Sequence, residues 1–108
     1  MANPYAGEVA LIVDGERQVL KLTLGALAEL EAALGADTLV ALTERFEAGR
    51  FCSRDIIAVL VAGLRGGGWR GSAAELACAE VAGGPMAAAR AAAELLARAF
   101  TLPREEQG

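Results

Sequence analysis

Hydrophobic and polar positions alternate near the start of the chain and then change to the spacing of a helix. GEVALIV (7–13) and QVLKL (18–22) have the period of two that is typical of half-buried strands. From Thr23 onward, leucines recur at helical spacing, at positions 24, 27, 30 and 34. The pattern predicts a β-hairpin over residues 7–22 that leads directly into a first helix, with Thr23 as its N-cap.

The register of this hairpin depends on the length of its turn. A two-residue Asp-Gly turn would pair Leu11 with Gln18 and leave the apolar face mixed. A four-residue loop, Asp14 to Arg17, would place Leu11 opposite Leu20, so that one face becomes continuously apolar. We therefore expect the four-residue loop.

Further helical stretches follow, separated by glycine and proline breaks. We expect Asp37 to cap the second helix, Ser53 the third, and a Ser72–Glu75 capping box the fourth. The third stretch, RDIIAVLVAGL, has a broad apolar stripe and is predicted to be the central core helix. Pro85 suits the first position of the last helix. The predicted buried side of that helix comprises Met86, Ala89, Ala93, Leu96, Ala97 and Phe100.

These elements predict a single compact α+β domain over residues 1–108. It consists of the N-terminal β-hairpin (7–22), a helical part (23–101) with about five mostly short helices, and a solvated tail (102–108). With 108 residues and 55% apolar content, the chain is long enough to enclose one small core.

Composition and charge argue against several classes of protein. The formal net charge is −4 and the Lys and Arg residues are scattered, whereas nucleic-acid binding depends on clustered cations. The start, MANPYAGEVA, lacks the basic and apolar regions of a secretory signal. Charge-free stretches are far shorter than the roughly 20 residues of a membrane span. We expect a cytoplasmic bacterial protein that binds neither nucleic acid nor membrane.

The inventory of reactive side chains is small. The chain has no histidine, which removes the usual general base near neutral pH and the commonest metal ligand. Cys52 and Cys78 are the only cysteines, and we expect two buried thiols rather than a disulfide. We therefore predict no catalytic residue, cofactor or metal site, and no enzymatic activity.

One glycine-rich segment has the form of a nucleotide-binding motif. GGGWRG (66–71) matches G-x-G-x-x-G, but that motif requires a preceding strand and a surrounding βαβ unit. Here a predicted helix precedes it. A flexible interhelical loop is the favoured interpretation, and a small nucleotide-binding domain that uses residues 66–71 is the alternative.

Two groups of residues are candidate partner-binding positions. Trp69 lies in the glycine-rich loop beside Arg65 and Arg70, where an exposed aromatic side chain can anchor a partner. Folding back of the ring over the core is an equal alternative. Ile12 and Val19 are the apolar members of the outer hairpin face, which is a candidate for docking or strand addition.

A charged row lies along the last predicted helix. Arg90, Glu94 and Arg98 follow one another at i+4 spacing. We interpret the row as an exposed ion-pair stripe, with a partner-binding ridge as the alternative.

The order of these segments resembles a known family. GEVALIVDGERQVLKLTLGALAELEAALG, followed by DTLVALTERFEAGRFCSRDIIAVLVAGLRGGG, is similar to the small gene transfer agent family of alphaproteobacterial phage-like particles, which is grouped with phage tail assembly chaperones. The resemblance covers about residues 7–68. LTLGALAELE and GLRGGG are its most specific segments.

The resemblance implies a noncatalytic tail assembly chaperone. Such chaperones coat the long tape measure protein, keep it soluble during tail morphogenesis and help bring tail tube subunits onto it. Members of the family have also been labelled tail tube components, so a structural tail role is the alternative. A tube subunit is expected to contribute enough strands for a ring-forming sheet, and the two predicted strands favour the chaperone. The expected partners are the tape measure protein and tail tube subunits, with a homo-oligomer left open.

Overall fold

The computed structural model of the protein describes residues 7–35 and 38–100. Within these ranges the elements are β1 (Val9–Val13), β2 (Glu16–Leu20), α1 (Leu24–Leu34), α2 (Leu39–Ala48), α3 (Ser53–Gly66), α4 (Ala73–Cys78) and α5 (Gly84–Ala99). The two strands are antiparallel neighbours. The predicted α+β class, a hairpin followed by short helices, is confirmed. The predicted tail (102–108) lies outside the described residues.

The hairpin has a two-residue turn, so the predicted four-residue loop is wrong. Leu11 pairs with Gln18. Asp14 and Gly15 both have positive φ, 51° and 79°, as in the type I′ turn, whose twist matches that of paired strands. Leu11 is nevertheless buried, because α5 packs on β1. The strand pairing leaves one face of the hairpin partly polar, and α5 covers the apolar residues of β1 on that face.

Helix α3 is at the centre of the fold, as its broad apolar stripe predicts. It packs against α1, α4, α5 and β2, and its Val59, Leu60 and Leu64 are almost completely buried. Burial of large apolar side chains is the main stabilising contribution in a domain of this size. The largest fully buried side chains from the other elements are Leu20, Leu30, Leu42, Leu95 and Leu96.

Short polar side chains fix the starts of three helices. The Oγ1 atom of Thr23 accepts the N–H of the third residue of α1 at 3.0 Å, as predicted. Ser72 and Glu75 form the predicted capping box of α4, with hydrogen bonds of 2.8 and 3.2 Å. The predicted cap Asp37 lies outside the described residues, and the residue that caps α2 is Thr38.

Helix α3 begins one residue earlier than the predicted cap implies. Ser53 is its first helical residue, and Cys52 is the N-cap. The reason is Asp55, whose carboxylate accepts the backbone N–H of Cys52 at 3.1 Å. The same carboxylate accepts two hydrogen bonds from Arg45 of α2, at 3.0 and 3.2 Å. Burial raises the pKa of Asp55, but these hydrogen bonds and the Arg45 charge together outweigh burial and lower it.

The buried side of α5 differs from the predicted one. Leu96 is the only member of the predicted set that is fully buried, whereas Met86 is 72% exposed and Phe100 is 44% exposed. Alanine on all sides of this helix gives the sequence little contrast between faces, so the adjacent leucines at 95 and 96 determine its orientation. The buried residues of α5 are Ala88, Ala91, Ala92, Leu95 and Leu96.

The two cysteines are free thiols, and their predicted burial is wrong. Both are exposed, because Cys52 precedes α3 as its N-cap and Cys78 is the last residue of α4. Helix ends at the surface leave these side chains in contact with solvent. Separately, none of the helices in the described part of the chain is long and apolar enough to cross a membrane.

Candidate interaction site on the hairpin

The outer edge of β2 is covered by the C-terminal end of α3. The backbone N–H of Lys21 donates to the carbonyl oxygen of Gly63 at 2.9 Å. A β-carbon added at Gly66 would overlap the carbonyl oxygen of Lys21. A β-carbon added at Gly67 would overlap that of Val19. Only glycine permits so close an approach of two backbones, so the glycine run covers this edge of the sheet from Val19 to Lys21.

The same glycine run does not have the geometry of a phosphate-binding loop. The backbone N–H groups of residues 67, 68 and 69 donate to the last carbonyl groups of α3, at 2.9 to 3.1 Å. They therefore cap a helix C-terminus, which carries a negative partial charge. Phosphate binds at helix N-termini, where N–H groups are available. The geometry gives the nucleotide-binding alternative no support.

The outer edge of β1 is covered over part of its length by residues 80–82. The backbone N–H of Asp14 donates to the carbonyl oxygen of Glu80 at 2.7 Å. The N–H of Ala82 donates to the carbonyl oxygen of Ile12 at 3.0 Å. The Asp14 carboxylate also accepts the N–H of Glu80, at 2.8 Å. These bonds place a short antiparallel segment beside the C-terminal half of β1.

The remainder of this edge lies at the surface. Alternate residues of an antiparallel strand direct their N–H and C=O groups to the same side. Ala10 therefore directs its groups as Ile12 does, away from β2. Ala10 is exposed and the Ile12 side chain is 45% exposed, and no backbone hydrogen bond from another described element reaches Ala10. A short strand edge is thus open in the described part of the chain.

A groove of about 390 Å³ lies between this open edge and α5. Ala87 and Ala91 form its α5 wall, and Ile12 is on the strand side. The charged side chains on its rim are Arg17, Arg90 and Glu94. The groove therefore joins a strand edge to a helix face that carries both signs of charge.

The predicted group Arg65, Trp69 and Arg70 surrounds a separate hollow of about 370 Å³, together with Glu29. Arg65 donates from Nε to Glu29 Oε1 at 2.9 Å and from Nη1 to the carbonyl oxygen of Gly71 at 3.2 Å. The Trp69 ring lies directly against Gly71 and packs on the core. The ring is therefore folded back, which is the second of the two alternatives predicted for it.

The five predicted partner-binding residues do not form one site. Ile12 lines the groove beside α5. Val19 is half-buried on the outer hairpin face, with its carbonyl oxygen against Gly67. Neither residue lines the hollow around Trp69. The structure thus separates a tryptophan corner from the β1 groove.

Sequence reasoning missed the α5 wall of the β1 groove. The available signal was the charged row on α5, which the favoured interpretation treated as an ion-pair stripe. Glu94 and Arg98 do form a pair, at 3.9 Å, whereas Arg90 lines the groove. The row thus contributes both an ion pair and a wall of the groove.

A further groove of about 370 Å³ lies between α3, α4 and α5. Its lining is mostly apolar and includes Ile57, Leu76, Val81 and Ala88.

Within residues 7–35 and 38–100, no group of three or more Cys, Asp or Glu side chains is placed to hold a metal ion. The lowered pKa of Asp55 results from its hydrogen bonds with Arg45 and Cys52, which join α2 to the start of α3.

Comparison with known protein families decides the affiliation of the chain. A family model described as phage tail tube protein, GTA-gp10, matches residues 6–101. The chain belongs to this family. No curated protein and no solved structure matches it.

The GTA-gp10 match confirms the predicted gene transfer agent and phage tail affiliation. It spans the hairpin and every described helix, so the β1 groove and the tryptophan corner both belong to the family domain. The family description names the tail tube, a structural assembly. This favours the structural role that the sequence left as the alternative.

Proposed function

We propose that this GTA-gp10 protein is a noncatalytic structural component of the tail tube of a phage-like particle. The family match over residues 6–101 is the observation that carries the proposal. The protein would act by binding neighbouring tail subunits, without a cofactor, and would join the tail in the bacterial cytoplasm. The open strand edge and the exposed grooves support a role in protein contacts.

We also propose that two surfaces contact tail proteins. One is the tryptophan corner (Arg65, Trp69 and Arg70), where a half-buried aromatic ring lies beside an exposed guanidinium group. The other is the outer hairpin face with Ile12 and Val19, where the Ile12 side chain is 45% exposed. Aromatic and arginine side chains are enriched among residues that dominate binding energy.

A second candidate function is a tail assembly chaperone that binds the tape measure protein. The observation in its favour is that the described residues form only one two-stranded sheet, whereas a ring-forming tube subunit is expected to contribute more strands. The apolar groove between α3, α4 and α5 is also suited to an amphipathic helix from a partner.

The composition of finished particles distinguishes the two functions. A structural tube component should be present in purified particles at a fixed, high copy number relative to the other tail proteins, as measured by quantitative mass spectrometry with labelled standard peptides. The contradicting result is absence from finished particles combined with co-purification with the tape measure protein from lysates before assembly. That result would establish the chaperone instead.

A further inference from the structure

We propose that the open edge of β1 and the adjoining face of α5 bind a second copy of this chain about a two-fold axis. This dimer surface comprises Ala10, Ile12, Ala87, Arg90, Ala91 and Glu94. The inference goes beyond the tail role, because it concerns the free protein and is compatible with either tail function. Three features of the surface support it.

The first feature is that the β1 edge already accepts an antiparallel segment. Val13 forms an antiparallel bridge with Val81, and Ala82 donates to Ile12. The twist and spacing of this edge are therefore compatible with strand addition. The segment ends before Ala10, whose outward N–H and C=O groups leave room for one more pair of hydrogen bonds.

The second feature is that α3 covers the opposite edge of the hairpin at the end of β2. Gly66 and Gly67 lie against the carbonyl oxygens of Lys21 and Val19, so a strand from another copy cannot pair there. This contact obstructs head-to-tail pairing of β1 with the C-terminal half of β2. Pairing of β1 with β1 of a second copy remains, and a two-fold axis makes those strands antiparallel.

The third feature is the charge pattern on α5. A two-fold axis also reverses the direction of the facing helix, so two oppositely charged residues four positions apart are self-complementary. Arg90 would face Glu94 of the partner subunit, and the reciprocal contact would form across the axis. The small side chains of Ala87 and Ala91 permit the close approach of the two helices.

Charge reversal gives the sharpest test, with dimerisation measured by sedimentation equilibrium from micromolar to millimolar concentration. Arg90→Glu and Glu94→Arg should each weaken the dimer of the full chain about tenfold, since both symmetric contacts become repulsive. The double variant should restore dimerisation. An equimolar mixture of the two single variants should form mixed dimers by native mass spectrometry, because acidic pairs on one copy then face basic pairs on the other.

Ala10→Pro tests the strand contact independently. Proline removes the outward N–H at an edge position where the β1–β2 ladder does not use it. We expect a loss of about tenfold or more in the dimerisation constant, with an unchanged far-ultraviolet circular dichroism spectrum. If this variant does not fold, the charge-reversal set decides the question alone.

Arg54→Glu is the matched control, because it makes the same charge change at an exposed position in the first turn of α3. It should dimerise as the unmodified protein does. A protein that stays monomeric at millimolar concentration would overturn the proposal, including the case in which a segment of another tail protein occupies the edge. Unaltered dimerisation of both single charge variants would overturn it too.

Discussion

The two edges of the hairpin differ in what covers them. The β2 edge lies against the backbone of α3, through the Lys21 to Gly63 hydrogen bond and the glycines at 66 and 67. The β1 edge has a three-residue cover over one half and a surface groove along the other. Open strand edges invite pairing with other chains, and proteins usually protect them. The described part of the chain thus covers the end of β2 with a helix and leaves half of the β1 edge at the surface.

Breaking the closed edge should have the largest effect. Gly67→Ala places a β-carbon against the carbonyl oxygen of Val19, and neither backbone can move without disturbing the sheet or α3. We expect the free energy of unfolding to fall by about 3 kcal/mol. Urea denaturation measures this loss, and amide hydrogen exchange should show a faster Lys21 N–H.

Gly25→Ala is the matched control for that substitution. Gly25 lies in the first turn of α1, where an added β-carbon meets only Thr23 Oγ1, at 3.9 Å. We expect an unchanged protein or one more stable by about 0.5 kcal/mol. A Gly67→Ala protein as stable as the Gly25→Ala protein would show that the β2 edge is not closed by backbone contact.

Asp55→Asn should have an intermediate effect and should leave the contrast between the edges intact. Asparagine can still accept the Cys52 N–H, but the charged contact with Arg45 is lost. We expect the free energy of unfolding to fall by about 1.5 kcal/mol at neutral pH. Lys21 should remain better protected than Ala10 from amide exchange. A reversal of that order would contradict the assignment of edge protection to the glycine contacts.

The pH dependence of the Asp55 contact follows from its lowered pKa. The stabilisation is fully present above the unfolded-state pKa of about 4 and is lost as pH falls through the folded-state value. The stability difference between wild type and Asp55→Asn should therefore shrink below about pH 4. Glu47→Gln, at an exposed position on α2, is the control and should follow wild type closely. A difference independent of pH would exclude the charged contact as its source.

Loosening the partial cover of β1 should have the smallest effect. Asp14→Ala removes the acceptor for the Glu80 N–H and places alanine at φ 51°. We expect a loss of about 1 kcal/mol, with faster exchange of the Ala82 N–H and little change at Lys21. Asp14→Asn keeps an acceptor oxygen and suits the turn, so it should stay within a few tenths of a kcal/mol of wild type. If amide exchange became equally faster at Ala82 and Lys21, the covers of the β1 edge and the β2 edge would not be independent of each other.

Local signals in the sequence predict much of the fold. The alternation of β1, the Thr23 cap, the Ser72–Glu75 box and the α3 stripe each depend on neighbouring residues, and the structure contains all four. The second strand is Glu16–Leu20 rather than the predicted 18–22, and its burial does not alternate. The hairpin register was mispredicted because α5, distant in sequence, covers Leu11. The buried face of α5 was mispredicted because alanine fits either side of a helix.

The sequence predicts less of the candidate site than of the fold. The sequence pattern indicates that Ile12 faces outward, but the α5 wall of its groove depends on how two distant elements pack together. The role of the glycine run also needs the tertiary structure, since close approach to β2 cannot be inferred from GGGWRG alone. The segment matches a nucleotide-binding sequence pattern. In the fold, however, its backbone N–H groups cap the C-terminus of α3.

Residue-resolved amide hydrogen exchange at two protein concentrations tests the central claim most directly. In dilute protein, the N–H of Lys21 should exchange slowly and that of Ala10 rapidly. At millimolar concentration, the N–H of Ala10 should become protected while that of Lys21 stays unchanged. Equal protection of Ala10 and Lys21 in dilute protein would contradict the contrast between the edges, and exchange at Ala10 that does not depend on concentration would contradict self-association through β1.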